Sequence, residues 1–215
     1  MSFGLAGALA VSVATAQAAF SDDFSTSQAS TSYNGASGFS SASTLLTPYG
    51  ARVLYADILG NTAPGDARAR TAVSGGAFTF SSDNEVTGYG LAFYSFSTPI
   101  SLTATPVFQV TILSNDLLGT LSINEYDTSG NSVSTTVPLP AMPVSGTPLV
   151  LTVPTNAVGI NYASLNRLEF YFGGTKGEDL SVDGIVAVAV PEPGSLALLG
   201  VAAAAGTGWL IRRRA

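Results

Sequence analysis

The chain has 215 residues, a net charge of −6 from eight basic and fourteen acidic side chains, and neither cysteine nor histidine. Without those two residue types it has no disulfide framework, no Ser-His-Asp or Cys-His machinery of its own, and no His- or Cys-ligated zinc; only oxygen-ligand metals such as calcium remain open to it. The shortage of Lys and Arg argues against nucleic acid as a partner, because binding a phosphate backbone needs clustered positive charge.

Residues 5–13 are apolar, and Ala16-Gln17-Ala18 then supplies an A-x-A cleavage pattern. Together they read as a secretory signal peptide, residues 1–18, folded as a helix during export and removed after Ala18. No Lys or Arg precedes the apolar run. Either the α-amino group alone carries the leading charge, or translation starts further upstream.

Residues 19–190 form the body, with five basic and thirteen acidic residues and a net charge of −8. Its 172 residues suit one domain with a full core. Short apolar runs alternate with Gly, Pro, Asn and Asp, and no run keeps a helical stripe, so the pattern predicts an all-β chain. Candidate strands cover 52–58, 77–81, 89–96, 107–113, 121–126, 132–137, 149–153, 167–172 and 180–190. A weaker candidate at 67–73 reads as an edge strand, and the Ser-rich stretch 25–43 reads as a long loop with at most one poor strand. Asp127-Thr128-Ser129-Gly130-Asn131 has the composition of a hairpin loop, and Gly173-Gly174-Thr175-Lys176-Gly177 that of a turn. In 167–172 the alternation is clean, with Leu168, Phe170 and Phe172 on one face and Arg167, Glu169 and Tyr171 on the other. Eight to ten strands at this spacing predict a two-sheet β-sandwich or jelly roll. The opening Phe20-Ser21-Asp22-Asp23-Phe24 and closing Leu180-Ser181-Val182-Asp183-Gly184-Ile185 resemble the first and last strands of galactose-binding-like jelly rolls, as found in carbohydrate-binding modules.

The tail, residues 191–215, has three parts. Pro191-Glu192-Pro193 is a stiff extended joint, since proline cannot sit within a helix. Residues 196–211 are an almost uncharged run of 16, about 24 Å long as a helix against a bilayer core of about 30 Å, so they make a short transmembrane helix. Arg212, Arg213 and Arg214 then act as a membrane stop that stays on the cytoplasmic side, with Trp209 suited to the interface. This order resembles the PEP-CTERM sorting signal of Gram-negative bacteria; the plainer alternative is an ordinary single-span anchor. The resemblance implies export across the inner membrane, transient anchoring by the tail helix, and cutting near the Pro-Glu-Pro motif by an exosortase. The body would then pass to the cell surface or beyond, in bacteria that make exopolysaccharide and biofilm matrix.

Three sets of side chains in the body merit separate readings. If the termini of the sandwich meet, Asp22, Asp23 and Asp183 would gather as a candidate structural calcium site; otherwise they are a solvated strand start and a loop aspartate. Glu125 and Asp127, two apart, are the one carboxylate pair suited to glycoside hydrolysis, although an Asp at a turn needs no catalytic role. Arg167, Glu169 and Tyr171 offer a cation, a carboxylate and an aromatic ring to a sugar, or else they are ordinary cross-strand pairs on a solvated face. The combined expectation is a non-enzymatic exported protein of the surface or biofilm matrix that binds extracellular polysaccharide. A carboxylate-dependent polysaccharide hydrolase and a matrix protein with no discrete ligand are the alternatives.

Overall fold

A computed structural model describes residues 20–102, 106–142, 146–155 and 158–189. The signal-peptide residues Ala16 and Ala18, the expected tail helix, Pro191, Glu192, Pro193 and Arg212, Arg213 and Arg214 lie outside the described residues. Among those described, no helix is long and apolar enough to cross a membrane.

The strands in chain order are β1 (Phe20–Asp22), β2 (Gln28–Tyr33), β3 (Gly38–Phe39), β4 (Ser43–Thr47), β5 (Gly50–Asn61), β6 (Ala69–Ser74) and β7 (Ala77–Ser82). They continue with β8 (Val86–Ile100), β9 (Pro106–Asn115), β10 (Gly119–Asp127), β11 (Ser132–Leu139), β12 (Leu149–Pro154), β13 (Leu165–Lys176) and β14 (Asp179–Ala189); one 3-10 turn, Tyr162–Ser164, precedes β13. They form two antiparallel seven-stranded sheets. The first runs β12-β9-β14-β7-β6-β2, with β1 also on β14; the second runs β11-β10-β13-β8-β5-β3, with β4 also on β5. The sheets pack face to face as a β-sandwich.

Period-two patterning builds the core. Leu168, Phe170 and Phe172 on β13 are fully buried, as are Leu121 and Ile123 on β10 and Phe78 and Phe108 from the opposite sheet. Their rings form one contiguous cluster: Phe108 meets Phe170 edge-on at 5.5 Å, and Phe78 meets Phe172 at 5.1 Å. The first and last strands meet, with Phe20, Ser21 and Asp22 opposite Ala187, Val186 and Ile185. Phe20 thereby enters the core against Tyr94 at 4.9 Å. Gly90 makes room for Phe80, because a Cβ there would come within 2.7 Å of it.

Three expectations are corrected. The 67–73 segment is not an edge strand: β6 lies between β7 and β2. The stretch 25–43 holds more than one poor strand. It supplies β2, whose mostly small polar residues pair along a sheet border where few large apolar side chains are needed, and the two-residue β3 on the border of the other sheet. Gly173 and Gly174 belong to β13 rather than to a turn. Their φ values of 127° and 111° accompany a register shift, so the glycines permit a bulge that only Gly enters without strain. The Asp127–Asn131 hairpin is present, closed by the Asp127 N–H donating to the Asn131 carbonyl at 3.0 Å.

Candidate functional site: an aromatic and polar face

The outward face of the second sheet is not a plain solvated surface. Register places its side chains in rows across β10, β13, β8 and β5: Tyr126–Arg167–Ser95–Ala51, then Asn124–Glu169–Phe93–Val53, then Ser122–Tyr171–Leu91–Tyr55. A fourth row, Thr120–Gly173–Tyr89–Asp57, continues to Phe39 on β3. Leu91 and Val53 are 3% and 8% exposed although they stand outside the main core, so the taller rings and charged groups form a layer above them.

Glu169 organises the upper half of this face. Its Oε2 accepts from Asn124 Nδ2 at 3.2 Å, from the Tyr126 hydroxyl at 3.2 Å and from the Tyr171 hydroxyl at 3.3 Å. Its Oε1 lies 3.3 Å from Arg167 Nε. The guanidinium lies over the Tyr126 ring, its Cζ 3.5 Å from the centroid, while Phe93 approaches from farther away at 5.7 Å. Two tyrosine hydroxyls, an amide and a guanidinium are thus held in fixed orientations around one carboxylate. Burial, followed by the charge of Glu169, keeps the Tyr171 hydroxyl protonated well above its usual range, so it remains a hydrogen-bond donor. Tyr89 meets Tyr171 edge-on at 6.1 Å, and Phe39 meets Tyr55 at 6.0 Å. The result is a broad platform of ring faces with polar groups in fixed positions, suited chemically to flat, hydroxyl-rich molecules.

The structure brings Arg167, Glu169 and Tyr171 together as their alternation implied. Asn124 and Tyr126 on β10, Tyr89 and Phe93 on β8, and Tyr55 and Asp57 on β5 were not singled out from the sequence. Their signal was present in Tyr89-x-Leu91-x-Phe93 and Val53-x-Tyr55-x-Asp57, bulky residues on the side of each strand that faces away from the core.

The aspartate trio does not assemble. Asp22 accepts from Arg52 Nη1 at 2.9 Å through Oδ1 and at 2.7 Å through Oδ2, and also from the Tyr94 hydroxyl at 2.9 Å and the Phe24 N–H at 2.8 Å. Arg52, 1% exposed, in turn donates to Gln28 Oε1 and to the Thr26 carbonyl. An internal cation therefore stands against Asp22, and the network lines a cleft of about 330 Å3 beside Tyr49 and Leu45. Asp23 accepts from the Ser25 N–H, its pKa is lowered by the Ser25 side chain and then by that N–H, and a register shift between Val182 and Gly184 accompanies an Asp183 turned to solvent. Among the described residues no group of three or more Asp, Glu, His or Cys is placed to hold a metal ion. The trio does not fit a calcium ion in this arrangement.

Glu125 and Asp127 do share a face, but it is the core face, and each is 1% exposed. Asp127 accepts from the N–H groups of Ser129, Asn131 and Asn161, and serves its own turn. Burial pushes the Glu125 carboxyl up to about 7, opposed by the nearby Tyr162 hydroxyl; neither of its oxygens has a hydrogen bond of good geometry. Neither residue lines the 330 Å3 cleft.

Residues 189–214 match the family model described as the PEP-CTERM protein-sorting motif, so the chain carries that sorting signal, which implies export and membrane-anchored processing by an exosortase. A search of curated proteins finds no relative in sequence. Among solved structures, the chain is similar to an agarase, AgWH50C, at 11% identity and a TM-score of 0.45, covering 57% of this chain but only 22% of that one. It is also similar to the structure described as BiXyn10A CBM1, at 8% identity and a TM-score of 0.44, over 81% of this chain and 99% of that one. A third is the family 11 carbohydrate-binding module of the cellulosomal cellulase Lic26A-Cel5E of Clostridium thermocellum, at 12% identity and a TM-score of 0.42, over 85% and 99%.

Proposed function

We propose that this is a non-enzymatic protein, exported across the inner membrane of a Gram-negative bacterium and released by exosortase cleavage to the cell surface or biofilm matrix. There it holds extracellular polysaccharide on the outward face of the second sheet. The observation that carries the reading is the Glu169 cluster, in which one carboxylate fixes Asn124, Tyr126, Arg167 and Tyr171 on a solvent-facing sheet. Hydroxyl-rich sugars offer both halves of the match: C–H faces that pack on rings and hydroxyls that pair with oriented polar groups. The charge of −8 on the body disfavours anionic glycans and points to neutral or cationic ones.

The test is affinity electrophoresis through gels containing neutral or cationic polysaccharides, comparing the full-length protein with Tyr126→Ala. Retardation of the wild type that Tyr126→Ala reduces at least about tenfold in apparent affinity supports the reading, since losing a central aromatic anchor costs on the order of 2 kcal/mol. Equal mobility in every gel would leave the matrix protein without a discrete ligand as the better account.

A further inference from the structure

The lower half of the same face carries a group that the Glu169 cluster does not use. Asp57, in the middle of β5, is 8% exposed and points away from the core. Its cross-strand neighbours are Tyr89 on β8 and Phe39 on β3, and Tyr55 precedes it by two on the same strand. Phe39 is 54% exposed, so this corner is open above while Asp57 lies deep within it. Among the described residues, no ion pair or hydrogen bond involves the Asp57 side chain. The two ion pairs are Arg52 with Asp22, on the other side of the sheet, and Arg167 with Glu169; Lys176, also on β13, is exposed and forms neither. Burial pushes the Asp57 carboxyl above its ordinary range, with no donor or cation to counter it.

An unpaired carboxylate partly shielded from water by aromatic rings carries a desolvation cost. The group that best offsets that cost is a cation with an apolar frame: an ammonium can neutralise the carboxylate while ring faces favour the positive charge. A sugar hydroxyl would donate one hydrogen bond but leave the negative charge uncompensated, and an acidic sugar would be repelled. We propose that Asp57, Tyr55, Tyr89 and Phe39 form a subsite for a protonated amine, which makes the favoured ligand a glycan with free amino groups, an N-deacetylated amino-sugar polymer. This rests on the glycan-binding reading above and narrows it to a substrate class.

Three β-1,4-linked hexamers that differ only at C2 separate the cases: glucosamine, N-acetylglucosamine and glucose. Each is titrated calorimetrically into the full-length protein and into Asp57→Asn, with thermal melting to establish that the variant folds. The expected result is tightest binding of the glucosamine hexamer, reduced at least about tenfold by Asp57→Asn, with a clearly smaller reduction for the neutral hexamers, so that the preference for the amine disappears. If the glucosamine hexamer binds no more tightly than the glucose hexamer, or if its advantage persists in Asp57→Asn, the amine subsite is wrong while glycan binding on this face stands. Failure of the glucosamine hexamer to bind at all also overturns the subsite, and the affinity gels then decide the wider reading independently.

Discussion

Glu125 and Glu178 are the residues through which pH acts most directly on this fold. Both are essentially buried, and burial raises each carboxyl to about 7. A carboxyl whose pKa is higher in the folded than in the unfolded chain binds its proton more tightly in the fold. Its contribution is complete below the unfolded value near 4.5 and is lost as pH rises to about 7. Stability is therefore expected to fall between about pH 4.5 and 7, by on the order of 3 kcal/mol for each group that shifts fully. Asp23 and Asp127, whose pKa values are lowered by hydrogen bonds, act in the opposite sense: what they contribute is lost only as pH falls below the ordinary aspartate range. Urea unfolding across pH 3 to 8 should show a maximum near pH 4 to 5, and Glu125→Gln should flatten the decline above it. A stability that rises steadily from pH 4.5 to 7 would contradict this. Arg52 is the other sensitive residue. Arg52→Met should cost about 3–5 kcal/mol by leaving Asp22 without its cation, and adding Asp22→Asn should recover part of that loss.

At the level of strands, close sheet packing depends on Gly90 under Phe80. Gly90→Ala should cost about 1–3 kcal/mol, because a Cβ 2.7 Å from the Phe80 Cβ forces ring or backbone to move; chemical denaturation measures it. The long strands were legible because their inward residues repeat at period two, as in Leu168, Phe170 and Phe172. Short border strands were not: Gly38 and Phe39 make only a two-residue pairing with β5, and no periodicity survives over two residues. The Glu169 cluster was half legible. Arg167, Glu169 and Tyr171 lie on one strand, so local alternation reveals them, whereas Asn124, Tyr126 and Phe93 join only through register between strands far apart in sequence. The aspartate trio misled for a related reason. Nearness of the termini follows from pattern, but which way Asp22 points is set by Arg52, thirty residues on, and a local irregularity in β14 turns Asp183 outward.

For the whole molecule, the two sheets have distinct outer surfaces. That of the first sheet presents small and β-branched residues such as Thr79, Thr111, Thr152 and Val186, while that of the second bears the rings and the charged cluster. This asymmetry suits an exported module that engages ligand on one side. Cysteine-free, it should keep the same melting temperature with and without reductant, and a change on adding dithiothreitol would contradict a fold held by packing alone. Hydroxyl-radical footprinting tests the central claim most directly, comparing the full-length protein alone, with partially deacetylated chitosan and with a neutral β-glucan. The account predicts that at least one polysaccharide protects Tyr126, Tyr171, Phe93 and Tyr55 and leaves the outer residues of the first sheet unchanged. Protection confined to the first sheet, or to the cleft around Arg52 and Tyr49, would contradict it.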